Sequence, residues 1–586
     1  MTRRRRLLLV GTTVAVLALS GCVSLPESGP VVDAGGDGSS SDEVACCYLP
    51  NGPQPGESAT DIVQHFLEAM QATPIQTNVA KQFLTEAARA SWDPEQETIV
   101  YGERGTVRGE TRVSVALTDA HRLDSRGVFA GPLPPEESTL SFRMTTEDGE
   151  WRIADPVDAL VVPQTWTDEH FSSVNVYYVD PTARILVPEP VSVPRGDQFA
   201  TALTRSLLSG PGPGLGDVSR NFLPPGMSIG LSVPVDEQGL ADVALRGDAS
   251  GMSAEEAELA AAQVAWTLRQ DPTIRSIRLT ADGQALPGQS SLVRIEQGVQ
   301  YDPADFASST ALFALRDGRL VSGRVDAMSP VDGPPGQDDY GFTEFGVNLD
   351  STLVAGLTEG ATSVLVGSTY DPEGSLEQVL SGATSLLPPV WDFADRLWLV
   401  DRTPTGARVT LVEGTGKPRL VDVPGVSGER VRHVLVSRDG SRLLSVVRRS
   451  PRVGGETRRT RDELVASRVQ YDDRGNLIAV QPAQRLPWPT GERPRIKDIA
   501  WRTPTSVAVL YPVRNVVQVR AIVVDGSPAS LSAASSTLTG DFRYLVGSPD
   551  PAVPLYAASP EGYIELSQNR TPESSDVGLA TLTYTG

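Results

Sequence analysis

"RHVLVSRDGSRLLSVV", from Arg432 to Val447, sets two apolar-alternating runs on either side of Asp439-Gly440. Alternation of period two is the pattern of a half-buried strand, and Asp-Gly between two such runs is a tight hairpin signal. The phrase recurs as "TALFALRDGRLVSGRV" (Thr310–Val325) around Asp317-Gly318. Between and beyond lie "STLVAGLT", "TSVLVGST", "DRLWLVDR", "RVTLVEG", "LIAVQP", "DIAWRTPTSVAVLYP" and "GYIELS", with no helical period among them. At about 40–45 residues per four-stranded blade, residues 305–570 predict an all-β propeller of about six blades. Radial closure would remove the exposed edges of a long open sheet. Two stacked sandwiches would need long crossovers, which the recurrent strand–turn–strand phrase does not supply. Residues 571–586 read as a C-terminal tail.

Upstream the period changes. In residues 174–295, "VNVYYVD" and "RILVPEP" predict a hairpin around Asp180-Pro181-Thr182. Asp197 is placed to cap a helix bearing Phe199, Leu203 and Leu207, stopped by Gly210-Pro211. Ser253 and Glu256 form a capping box, and the helix they open carries Leu259, Ala262 and Trp266 on one face. Residues 57–165 begin with a similar box at Ser58 and Asp61. A helix with Ile62, Phe66 and Ala69 follows, then a second, capped by Asn78, with Val79, Phe83, Ala87 and Ala90. The runs "TIVYG", "RVSVAL", "STLSFRMTT" and "EWRIAD" then predict a curved antiparallel sheet. This order is similar to the cone-shaped NTF2-like fold, in which His65 and His121 would face a pocket. The fold class is therefore multidomain, with two small α+β modules ahead of the propeller.

The N-terminus sets the compartment. Arg3–Arg6 precede the apolar run Leu7–Leu19, within the roughly 7–15 residues of a secretory leader and short of the roughly 20 that span a bilayer. The run ends in Leu19-Ser20-Gly21-Cys22, which resembles a bacterial lipobox. There the cysteine thiolate takes a diacylglycerol, the leader is cut off (residues 1–21), and the new N-terminus is acylated. Multiple acyl chains anchor a protein stably. Residues 22–56, rich in Gly, Ser, Asp and Pro, read as a disordered tether. Cys46 and Cys47 within it read as incidental thiols. No later stretch is apolar enough for a second crossing. The expected location is the extracytoplasmic face of the cell membrane.

The chain of 586 residues has a formal charge of −22, and loss of the four leader arginines leaves −26. So acidic a body excludes nucleic acid as a partner. No catalytic, cofactor or metal motif is present: "EGTGKPRL" has proline where a phosphate loop needs Ser or Thr, and the four histidines are scattered. A protein without enzymatic activity is the expectation. Against the acidic background, Arg448, Arg449, Arg452, Arg458, Arg459 and Arg461 crowd "VVRRSPRVGGETRRTRDE", a loop able to dock an acidic partner. A second reading is binding of an envelope glycan or small ligand, for which Trp391, Asp392 and Trp398 are candidates, although their alternation equally suits a blade core.

The stretches "HFLEAM…KQFLTEAARASW", "NVYYVDPTARILVPEP", "ATALTRSLLSGPGP", "NFLPPGMSI" and "AAQVAWTL" resemble the LpqB lipoproteins of actinobacteria. The middle unit is similar to the GerMN module of spore-germination proteins, through its Leu223–Gly226 turn. The resemblance implies an accessory role, lipid attachment at Cys22 and contact with the extracytoplasmic part of the sensor histidine kinase MtrB. It further implies an influence on MtrA–MtrB signalling, and through it on cell envelope and division.

Overall fold

The computed structural model describes residues 48–304, 310–413, 416–450, 452–453, 456–457, 460–488, 495–528, 536–566 and 578–586. Helix α1 (Ala59–Ala69) opens the first module on the expected capping box. The Asp61 amide donates to Ser58 Oγ at 3.2 Å and the Ser58 amide to the Asp61 carboxylate at 3.3 Å. Its Phe66 ring stacks obliquely on Trp92 and edge-on to Phe142, the centre of an apolar core. The expected second helix is broken. Thr85 caps a new start, so a short 3-10 turn (Ala80–Phe83) is followed by α2 (Glu86–Ser91). The sheet is also divided. Strands 112–118, 139–147 and 150–155 form an antiparallel meander, whereas 97–101 pairs antiparallel to 121–124 and parallel to 160–163. In the strand 112–118 only Val113, Val115 and Leu117 are buried, the alternation its sequence predicts. Helix α3 (Gln164–His170) leads into the second module.

That module is built on a long hairpin, β1 (Phe171–Val179) and β2 (Leu186–Pro194), paired without a break from Phe171↔Pro194 to Val179↔Leu186. Asp180 fixes the tip: one carboxylate oxygen accepts the Arg184 and Ile185 amides at 2.6 and 2.9 Å, the other the Thr182 amide at 2.9 Å. Helix α4 (Phe199–Leu208) begins at Gln198 rather than at Asp197, which lies in a preceding 3-10 turn and makes no cap bond. Helix α5 (Ala254–Leu268) opens on the Ser253–Glu256 box and crosses between parallel strands 240–246 and 276–281. Its buried residues run from Ala257 to Leu268, and both β1 and α4 lie against it.

Among the described residues from 312 on, six successive antiparallel sheets form a ring, beside a small hairpin that pairs 452–453 with 456–457. Each adjoining pair encloses its own apolar cluster, and the last, with Val546, Ala558 and Tyr563 against Leu312, Ala314 and Leu582, joins sixth sheet to first. The fourth sheet contains the two long strands β3 (Arg442–Arg449) and β4 (Arg461–Tyr471). The ring is closed by the end of the chain. Strand β5 (Leu579–Thr583), placed in a tail by the sequence reading, is the innermost strand of the first sheet, paired to 312–316. Leu582 and Tyr584 are buried, and the Tyr584 hydroxyl donates to the Pro554 carbonyl at 2.9 Å. An inner strand brought back from the far end of the chain fastens a ring that would otherwise have two free edges.

Candidate functional site

Cys22 and the lipobox residues Leu19, Ser20 and Gly21 lie outside the described residues, as do Arg458 and Arg459; of Arg452 only the backbone is described. The remaining arginines are not on a free loop. Arg448 and Arg449 end β3 and Arg461 begins β4. Arg448 grips Asp462 with two bonds, at 2.8 and 3.1 Å. Arg449 pairs with Glu429 at 2.9 Å and Glu463 at 3.0 Å, and Arg461 with Glu463 at 2.6 Å. Carboxylates on β4 and in the bend at Glu429 thus answer the basic run, which leaves less bare charge than the sequence suggests.

The tryptophan candidates are interior. Trp391 and Trp398 are almost fully buried, and their indole N–H groups donate to the Gly346 carbonyl at 3.0 Å and to Asp392 at 3.3 Å. Asp392 also holds Arg396 at 2.8 Å, whose guanidinium lies 3.5 Å from the Tyr471 ring centroid. These residues build the third and fourth sheets and offer no open face to a sugar.

The structure instead brings together a seam that the sequence did not announce. The tip of the β1–β2 hairpin stands over one end of the ring, with Ile185 packed on Leu349 and Phe393. Behind it Glu189 is buried between Arg442 at 2.8 Å and Arg468 at 2.9 Å. Burial alone would raise this carboxyl, but the two guanidiniums overcome it and hold Glu189 below the usual carboxylate range. Arg442 also donates to the Pro188 carbonyl at 2.5 Å and faces Asp439 at 3.7 Å. The turn before it needs Gly440, whose φ is +69° with Arg396 pressed beneath it. At the edges of the seam Thr505 donates to Asn175 at 3.0 Å and Gln481 to Asp217 at 2.9 Å. The available signal for Glu189 was a single acid inside the otherwise apolar "LVPEPVSV".

In an antiparallel meander the turn between second and third strands lies at the opposite end from the turns that flank it. The seam uses first-to-second turns (348–352, 392–395, 437–441, 504–505). The opposite end therefore presents Asp317, Pro404-Thr405, Arg514-Asn515 and Pro560-Glu561, all exposed. Inner strands carry acidic and imidazole groups: His433 pairs with Asp498 at 3.0 Å, and burial, then the Asp498 charge, pushes Glu344 up to about 7.

A cavity of about 420 Å³ opens where all three modules meet. Its walls include Phe129, His121 and Asp168 from the first module, Ser173, Asn175 and Ser192 from the hairpin base, and Thr505 and Asp525 from the propeller. Burial pushes His121 down to about 4 and Asp525 up to about 6. His65, the other histidine expected at a pocket, pairs with Glu57 at 2.9 Å instead. Among the described residues no group of three His, Cys, Asp or Glu side chains is arranged to hold a metal ion.

Three family models divide the chain at the joints seen in the fold: the LpqB N-terminal domain at residues 52–168, a sporulation and spore-germination (Germane) domain at 175–287, and the LpqB β-propeller domain at 318–575. Proteins called Lipoprotein LpqB match along nearly their whole length. The one from Thermobifida fusca is 28% identical over 96% of both chains, and that from Streptomyces coelicolor 27% over 96% of this chain and 95% of the relative. The one from Mycobacterium bovis (strain BCG) is 26% identical over 97% and 96%. The chain belongs to the LpqB lipoprotein family. As an LpqB-family lipoprotein it is membrane-associated, and among the described residues no helix is long and apolar enough to cross a bilayer. The LpqB propeller match ends at residue 575, just before the closing strand β5.

Proposed function

We propose that the chain is a non-enzymatic accessory lipoprotein, held on the extracytoplasmic face of the cell membrane by acylated Cys22. In this reading the open end of its propeller contacts the extracytoplasmic part of an MtrB-type sensor histidine kinase and modulates MtrA–MtrB signalling, with cell envelope and division downstream. The observation that carries the reading is the asymmetry of the ring. One end is closed by the hairpin and its buried Glu189–Arg442–Arg468 cluster, while the turns at the other end are exposed on a rigid frame. Binding residues gather on loops held by such frames. The tether that the sequence predicts after Cys22, and two anchors in one membrane, raise the local concentration of the partners, so a weak contact suffices. The ends of β3 and β4 that carry Arg448, Arg449 and Arg461 lie at the same open end, and the charge that their carboxylate partners leave over can steer an acidic partner.

The test is capture of the purified kinase ectodomain by the full chain across a salt series. Asn515→Glu together with Thr405→Glu, both at exposed turn tips, is expected to weaken capture of an acidic partner about tenfold or more without moving the unfolding midpoint. Undiminished capture by this variant at every salt concentration places the contact elsewhere and overturns the reading.

A further inference from the structure

We propose that the cavity at the junction of the three modules binds a neutral carbohydrate of about disaccharide size. Its volume of about 420 Å³ falls within the roughly 300–1,000 Å³ typical of small-molecule sites. Its floor is the base of the β1–β2 hairpin, where Ser173 and Ser192 face each other across the ladder with Asn175↔Pro190 as the next pair on the same face. Directly opposite residues have side chains about 5 Å apart on one face, so two hydroxyls and an amide stand together. Elsewhere the hairpin presents Val176, Tyr178, Val187 and Val191 to a close-packed core. Small polar residues at its base leave a space that apolar ones would fill.

The chemistry of the lining selects the ligand. Hydroxyls and amides both donate and accept, matching sugar hydroxyls, which do the same. Phe129 is half-buried against His121, ring centroids 5.5 Å apart, and supplies an apolar surface for the C–H face of a pyranose. His121 remains uncharged at neutral pH because of its burial. The charged groups around the cavity are two guanidiniums, Arg195 and Arg502, and two carboxylates, Asp168 and Asp525, which balance. Arg195 is already committed to Ser172 Oγ and the Glu169 carbonyl. A balanced lining favours neither a phosphate nor a cation. Because the walls come from all three modules, the bound sugar would tie them together and raise the unfolding midpoint with the logarithm of its concentration above Kd. The site lies at the closed end of the ring, so it stands or falls independently of the kinase contact.

The experiment uses the full chain in a non-glycosidic detergent, with maltose, trehalose and N,N′-diacetylchitobiose as probes in calorimetry and saturation-transfer NMR. Inorganic phosphate and trialanine are the contrasting probes. At least one disaccharide is expected to bind with a Kd below about 1 mM. Ser192→Trp, which fills the floor, and Phe129→Ala are each expected to weaken it about tenfold or more. Should Ser192→Trp lower the unfolding midpoint, Ser173→Trp, from an exposed position on the same face, takes its place. The proposal is overturned if no disaccharide binds with a Kd below about 1 mM, if binding survives the filled cavity, or if phosphate or trialanine binds there in preference.

Discussion

Replacing Glu189 by glutamine removes one negative charge from the seam and leaves the shape nearly intact. Two guanidiniums lose their shared partner, and their exposures decide the cost. The Arg442 side chain is 2% exposed, whereas that of Arg468 is 22% exposed and can turn toward water. Removing one member of a buried pair costs about 3–5 kcal/mol, because the other charge is left uncompensated. Here Arg442 keeps the Pro188 carbonyl at 2.5 Å and Asp439 at 3.7 Å, and glutamine keeps one acceptor, so the lower end of that range, about 3 kcal/mol, is expected. The sign of the pH dependence follows from the depressed carboxyl. Its stabilisation is fully present above the unfolded value near 4.5 and is lost as pH falls through the lower folded value. The gap between wild type and Glu189→Gln at pH 7 should therefore shrink on acidification below about pH 4. The assay is the urea midpoint of the transition that separates hairpin from ring, followed by amide exchange at Arg184 and Ile185. A cost below about 1 kcal/mol, or a gap indifferent to pH, would refute the view that this cluster holds the modules together.

Ending the chain at Gly578 removes β5 with buried Leu582 and Tyr584; the ring should lose its cooperative transition and become protease-sensitive, as a melting curve and a digestion time course would show. Glu344 has a folded value raised to about 7, so its burden on stability grows as pH rises from 4.5 through 7. Glu344→Gln is accordingly expected to stabilise by about 1–3 kcal/mol at pH 8 and by much less at pH 4.5, read from urea midpoints at both. His121, lowered to about 4 by burial, should show no imidazole titration by NMR between pH 7 and 5. Cys22→Ala should abolish lipid labelling and retain the leader, seen by intact mass.

Local physics made much of this legible. Both capping boxes, the period-two strands and the Asp-Gly turns each depend on residues a few positions apart, and the element order follows from them. The break before Thr85 was missed because Val79, Phe83, Ala87 and Ala90 keep helical spacing across it. Strand β5 was missed because "LATLTYTG" earns its place only by pairing with residues 312–316, far away in the chain. The seam was hidden for the same reason. Arg442 and Glu189 are separated by 253 positions, and nothing near either one announces the other. The arginine cluster was over-read as bare charge, since the pairing of β3 with β4 brings Asp462 and Glu463 against Arg448 and Arg449, and Glu429 reaches Arg449 from the bend before residue 431. The tryptophan pair had two readings, and burial decided for the core.

The central claim is that the open end of the propeller meets a sensor kinase while the other end is closed. Photo-crosslinking in living cells tests it most directly, with the reactive residue at Thr405 or Arg514 on the open end and at Glu95 on the first module, all exposed. The account predicts that the kinase is captured from Thr405 and Arg514 and not from Glu95. Capture from Glu95 alone, or from none of the three positions, would contradict it.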